Sequence, residues 1–186
     1  MKTQISIFLL LFLFGAISAQ EHFKLGIGYY GENVFNSGLV LQAEKDMSLS
    51  SKLSFPVRLA GGYYIHKRNH QALFADLSGG LRYHFAKRYF TGLSLGIGVM
   101  STWHDSDQGV YTVEDQGAIA QTSNFAGIDF MPSLAVELGF KMTPNEQNAN
   151  YVWVRPKYFV QMNVNERALL HFAFELGYSF SISNKK

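Results

Sequence analysis

The sequence predicts an all-β fold, an eight-stranded antiparallel up-and-down transmembrane β-barrel, and three observations carry that prediction. Long stretches alternate apolar with small or polar residues at a period of two, the signature of a strand with two unlike faces. The alternation recurs eight times across short connections, the number that closes a small barrel. The apolar faces together supply roughly forty residues, many of them aromatic, far more than the interior of such a barrel can hold. The apolar face must therefore point outward, toward lipid.

The leading segment opens Met1-Lys2, runs through an apolar stretch over residues 5–14 and closes on the small residues Gly15, Ala16, Ser18 and Ala19. Those are the three regions of a secretory signal peptide. Residues 1–19 are read as that peptide, with cleavage after Ala19, and residues 20–186 as the barrel domain. The apolar stretch is shorter than the about 20 residues a spanning helix needs, and no later run approaches that length. The chain has no cysteine, so neither a lipidated N-terminal Cys nor a disulfide framework is available. The formal charge of +2 falls to +1 without Lys2, too weak a footprint for nucleic acid.

The first strand covers residues 22–30, with Phe23, Leu25, Ile27 and Tyr29 on one face, and Gly31-Glu32-Asn33 turns it. The second, 38–45, sets Leu39, Leu41 and Ala43 against Gln42 and Glu44 and ends in the polar run 46–51. The third, 55–66, sets Val57, Leu59, Tyr63 and Ile65 against Arg58, Ala60, Gly62 and Tyr64, with Pro56 near its start, where a missing N–H is tolerated. The fourth and fifth form a hairpin over 72–99 around Ala86-Lys87-Arg88, with Leu73, Leu77, Leu81, Leu93, Leu95 and Ile97 outward and Asp76, Ser78, Arg82, Phe90 and Ser94 opposite. Residues 102–124, rich in Asp, Gln, Ser and Gly, read as a long irregular loop, a length usually functional. The sixth strand, 125–142, sets Ile128, Phe130, Leu134, Val136, Leu138 and Phe140 against Ser133, Glu137 and Lys141, and Pro144 opens a turn. The seventh, 151–163, sets Val152, Val154, Tyr158 and Val160 against Arg155, Lys157 and Gln161. The eighth, 170–182, sets Phe172, Phe174, Leu176, Tyr178 and Phe180 against Ala173, Glu175 and Ser179.

With the N-terminus in the periplasm, loop 102–124 falls on the extracellular end, where membrane barrels carry their longer loops. Aromatics near the strand ends, at Tyr29, Tyr83, Phe85, Tyr89, Phe140 and Phe180, sit where interfacial girdles would. The face turned inward carries Lys24, Glu44, Arg58, Asp76, Arg82, Glu137, Lys141, Arg155, Lys157 and Glu175 among Gly, Ser and Ala. Charges in so narrow a space persist only when paired. Arg58, Asp76, Arg82, Glu137, Arg155, Lys157 and Glu175 are expected to form a polar lumen network, with Glu137 beside Arg155 and Lys157 and with Glu175 facing Lys157. Such a network plugs the barrel and leaves no continuous pore.

On its signal peptide, its eight dyad-repeat strands and its aromatic-rich last strand with Tyr178 and Phe180, the chain resembles the small bacterial outer-membrane barrels, the class of the OmpA transmembrane domain, OmpX and OmpW. The Tyr/Phe/Gly-rich style is similar to barrels of Bacteroidota, and no single subfamily stands out. Members of the class often end on an aromatic residue read by the outer-membrane assembly machinery; this chain runs on past Phe180 to Lys186. The resemblance implies the cell outer membrane as location, with outer-membrane lipid, lipopolysaccharide and the assembly machinery as partners.

One loop triplet bears on chemistry. A His near a Ser, oriented by a carboxylate, is what acyl transfer requires, and His104 and Ser106 with Glu114 are similar to the His-x-Ser of PagL-type lipid A deacylases, although Asp107 stands where that family has Asn. His66 and His70 are four apart on a strand connection rather than a helix, which argues against a metal site, and no phosphate-cradling loop or cofactor motif is present. The expectation is a non-enzymatic outer-membrane barrel with an envelope-structural or surface-interaction role, its loop 102–124 free to meet a surface partner. The alternatives are a lipid-modifying enzyme using His104 and Ser106, and a soluble lipocalin-like ligand carrier.

Overall fold

A computed structural model of the chain describes residues 23–66, 70–104, 110–113, 119–122, 125–144, 149–164 and 167–182. The strands are β1 (Phe23–Glu32), β2 (Asn36–Ser48), β3 (Leu53–His66), β4 (His70–His84), β5 (Tyr89–His104), β6 (Val110–Val113), β7 (Ile119–Thr122), β8 (Phe125–Phe130), β9 (Ser133–Lys141), β10 (Tyr151–Val164) and β11 (Arg167–Ile182). Every pairing is antiparallel, and β1 meets β11 to close the ring. β8 and β9 are two halves of one stave: both lie on β5 in a single register, Val99 opposite Phe130 and Gly96 opposite Ser133. The break between them falls at Met131 and Pro132, and Pro132 has no N–H to give the ladder. The wall is thus an eight-stave closed barrel.

Following ladder partners once round shows how strongly the staves are staggered. Leu39 leads to Tyr29, Leu176, Val154, Leu138, Thr91, Tyr83 and Leu53, whose carbonyl accepts from Leu49 N, ten residues along the strand where the path began. That stagger tilts the strands by about 40° and leaves an interior only wide enough for side chains.

Exposure alternates through the central wall, although β1 ends on three buried residues in a row. Along β9 the pattern is strictly buried, exposed, buried; outward-facing Leu95 and Ile128 are each 68% exposed, whereas inward-facing Arg82 is 1% exposed. The apolar face therefore points away from the lumen, the reverse of a ligand-carrying barrel. Glycines on the lumen face make room for large rings on neighbouring staves. A Cβ on Gly139 would strike the Phe90 ring, one on Gly62 the Phe74 ring, and one on Gly177 the Trp153 ring.

Five sequence expectations change. β1 runs on through Gly31 and Glu32 instead of turning there, and β2 spans Asn36–Ser48 rather than 38–45, because ladder bonds to both neighbours outweigh the polar composition of its ends. β11 begins at Arg167, three residues before the expected start. The sixth strand is split at Pro132. Residues 102–124 are not wholly irregular: β5 continues to His104, and β6 pairs with β7 as a separate hairpin. Beside it, a register shift between Thr102 and Trp103 coincides with Gly127 at a φ of +112°, a backbone position that favours glycine. Toward this loop end β8 pairs with β5 alone, and among the described residues its other edge has no ladder to β10.

Replacing Gly139 by Val drives a branched side chain into the Phe90 ring, and overpacking of that kind costs about 1–3 kcal/mol. A lower urea midpoint for Gly139→Val than for the outward-facing Val136→Ala is the expected result; equal midpoints contradict the packing described.

Candidate functional site in the barrel lumen

The strand phase that turns Leu and Ile outward necessarily turns every second residue of each stave into one shared space. Four layers result. At the turn end, Phe90 packs edge-on against Tyr151 at 5.1 Å between ring centroids. Above them lies the charged layer, and above that a small polar layer of Asp76, Lys157 and Ser133. Tyr30, Tyr64, Phe74, Met100, Met131 and Phe159 then close the upper lumen, with Tyr30 and Phe74 4.6 Å apart.

The charged layer is built around Arg82 and Glu44. Arg82 Nη1 and Nη2 each donate at 2.9 Å to one oxygen of Glu44, the two-pronged geometry that makes Arg–carboxylate pairs strong. Arg82 Nη2 also donates to Glu137 at 2.8 Å, and Nη1 to Asp46 at 2.9 Å. Arg58 Nη2 bridges Glu44 and Glu137, 3.0 Å from each. Arg155 donates to Glu137 at 2.8 Å, to Glu175 at 2.6 Å and to Gln42 at 3.1 Å. Tyr151 OH donates to Glu44 at 2.8 Å, and the Trp153 indole N–H and the Gln42 amide each donate to Ser179 Oγ at 3.0 Å. Rings complete the shell: the Arg155 guanidinium lies 4.3 Å from the Trp153 ring, the Arg82 guanidinium 4.5 Å from Phe90, and Lys24 Nζ 5.0 Å from Tyr151.

All seven residues expected in a lumen network are buried, but the pairing differs in one respect. Lys157 does not meet Glu175 or Glu137; its Nζ lies 3.3 Å from Asp76, which also accepts from Ser133 Oγ at 2.9 Å. Glu137 and Glu175 converge on Arg155 instead. The stagger of the staves is the reason, since Lys157 sits opposite Ala173 and Ala135, one step along the lumen from Glu175 and Glu137. The inward phase of the second strand placed Glu44 in the lumen; its position as the hub of the cluster appears only with three-dimensional register. Between the two polar layers a cavity of about 10 Å³, lined by Arg58, Asp76, Arg155, Lys157 and Glu175, is large enough for about one water.

At the loop end, sequence reasoning missed a second group. Glu32, 2% exposed, accepts from Asn33 at 2.6 Å, from Asn36 and from His171 Nδ1 at 3.1 Å, and the His171 ring stacks on Phe159 at 4.7 Å. Its signal is the inward phase of the two residues, hidden because Glu32 reads as part of a turn and His171 as the second residue of the eighth strand with no face assigned to it. Gln161 donates to Asp129 at 2.6 Å nearby. His66 and His70 stack 5.1 Å apart, and no group of three His, Cys, Asp or Glu among the described residues is arranged to hold a metal. Of the proposed acyl-transfer residues, His104 is the last residue of β5, where only its backbone is described, and Ser106 and Glu114 lie outside the described residues, as does the signal peptide.

Removing one partner of a buried ion pair costs about 3–5 kcal/mol, while replacing both by apolar groups is often nearly neutral. Asp76→Leu should therefore lower the unfolding midpoint followed by Trp fluorescence, and D76L/K157M should recover most of the loss. Glu137→Ala, which strips an acceptor from three arginines, should be among the most damaging single changes; a midpoint within error of the parent would refute the network.

No family model and no curated protein matches the chain. Solved structures do. Neisserial surface protein A is similar over 89% of this chain and 97% of its own, with 10% identity and a TM-score of 0.51. The N-terminal β-barrel domain of Pseudomonas aeruginosa OprF covers 84% of this chain and 97% of its own, at 13% identity and a TM-score of 0.46. The outer membrane enzyme PagL covers 86% of this chain and 99% of its own, at 13% identity and a TM-score of 0.49. At such identity the likeness is one of fold alone, and the fold is that of the small outer-membrane β-barrels.

Proposed function

We propose that the chain is a non-enzymatic outer-membrane protein, a closed and non-conducting barrel that contributes to the envelope and presents residues 102–124 to a surface partner or to lipopolysaccharide. The observation that carries this reading is the continuous apolar exterior. Leu39, Leu41, Leu73, Leu77, Leu93, Leu95, Ile97 and Val99 are all about half exposed or more on neighbouring staves, and soluble monomers rarely expose contiguous apolar patches beyond a few hundred Å². Lipid is the solvent that suits such a surface.

The closed part of the wall also has the right height. β9 has 9 residues, about the length a tilted strand needs to cross a hydrocarbon core. At the turn end, Phe85, Tyr89 and Phe140 form a run of rings, 6.1 and 5.2 Å between successive centroids, as an interfacial girdle requires. Inside, the paired charges and the aromatic layer above them fill the lumen, so no ion path is expected. Insertion by the outer-membrane assembly machinery and export on a cleaved signal peptide complete the proposal.

Cell fractionation should place the full-length chain in the outer membrane, running faster on electrophoresis unheated than boiled; a soluble periplasmic product would sink the reading. Planar bilayers holding the purified barrel should show no discrete conductance steps, and Glu137→Ala should destabilise the barrel without opening one, since the Tyr30, Tyr64 and Phe74 layer remains. Incubated with lipid A, the protein should release no fatty acid; release that disappears in Ser106→Ala would replace the non-enzymatic reading with the acyl-hydrolase one.

A further inference from the structure

The turn end of the barrel carries more cations than acids, and the longest connection at the other end carries the reverse. Residues 102–124 hold Asp105, Asp107, Glu114 and Asp115 with no Lys or Arg. At the turn end, Lys52, Lys87 and Arg88 are exposed; turns 49–52 and 85–88 contain no Asp or Glu, and turn 142–150 holds a single acid, Glu146. Asp46, near the end of β2, faces inward and is held by Arg82 at 2.9 Å.

Backbone hydrogen bonds gather these cations into one patch. His84 N donates to Lys52 O at 2.8 Å, which sets the β2–β3 turn against the end of β4, and Lys141 N donates to Arg88 O at 2.7 Å, which ties the β4–β5 turn to β9. Arg88 is also positioned in depth: its guanidinium lies 5.7 Å from the Phe140 ring, a member of the aromatic girdle. A cation resting on an interfacial ring has its stem in the apolar zone and its charge at headgroup level.

We propose that Lys52, Lys87 and Arg88 form a cationic collar that binds the phosphates of anionic phospholipids in the leaflet facing the turn end of the barrel. This rests on the membrane reading above. Cations at a negatively charged leaflet are each worth about fivefold in lipid preference and are screened by salt. The collar thereby biases which lipids surround that rim. The three side chains are outside the lumen network, so removing their charge leaves the barrel's interior intact.

The test refolds the full chain into vesicles containing equal phosphatidylcholine and phosphatidylglycerol, then measures by native mass spectrometry which lipid remains bound. The parent should retain phosphatidylglycerol at least tenfold over phosphatidylcholine, a preference lost in molar salt, and K52Q/K87Q/R88Q should retain both equally while keeping its heat-dependent shift on electrophoresis. Equal retention by the parent, or a preference that survives in the triple variant, overturns the collar and leaves the membrane reading standing. A chain that shows no heat-dependent shift after incubation with the vesicles overturns both.

Discussion

Closure of the ring with a ten-residue stagger is the constraint on which the rest of the structure depends. It satisfies the backbone of the central wall within the sheet and removes the exposed edge that makes open sheets aggregate. It also fixes the diameter, and a lumen that narrow leaves no slack. Three large inward rings fit only because a neighbouring stave offers a glycine: Phe90 lies on Gly139, Trp153 on Gly177 and Phe74 on Gly62. Each inward charge needs an opposite one within reach, because water cannot follow it inside in quantity.

The ion pairs do something the ladder cannot. Ladder bonds join only neighbouring staves, whereas Arg82 on β4 reaches Glu44 on β2 and Glu137 on β9, and Arg58 on β3 reaches Glu137 across the lumen. Such links join residues 38, 55 and 79 positions apart in sequence. They exist only once the staves have curled round to face one another, so they reward the closed ring and nothing short of it. A barrel held in this way should unfold as one unit, with Glu44 and Glu137 as the points where most staves are tied together.

Much of this was legible from residues alone. The period-two phase of Leu73 to Tyr83 and of Leu93 to Val99 is unambiguous, and a phase once known assigns every residue on the stave to one side or the other. What phase cannot give is height. Lys157 and Glu175 share the lumen but not a level, and only the stagger says that Lys157 meets Asp76. Composition also misled at the ends: Glu32, Asn36 and Asp46 look like turn residues, yet Glu32 and Asp46 are held by inward partners and extend their strands. The aromatic content of the lumen was harder still, because Tyr30, Tyr64 and Trp153 have the hydropathy of outward residues, and only their parity with glycine and charge betrays them.

Why the lumen holds charges, when a buried ion pair adds little net stability over a well-packed apolar pair, follows from the period-two pattern itself. A stave with apolar residues on both faces would be content either way round, or slipped by one residue. Turning β10 over would bring Arg155 and Lys157 to the lipid side, and a cation there costs about 2–4 kcal/mol at mid-membrane; turning over β3 or β4 would do the same with Arg58 or Arg82. Slipping one stave by a single position has the same effect as turning it over. The charges of Arg58, Arg82, Arg155 and Lys157 therefore act less as glue than as a penalty on every wrong arrangement, and their carboxylate partners make the right arrangement tolerable.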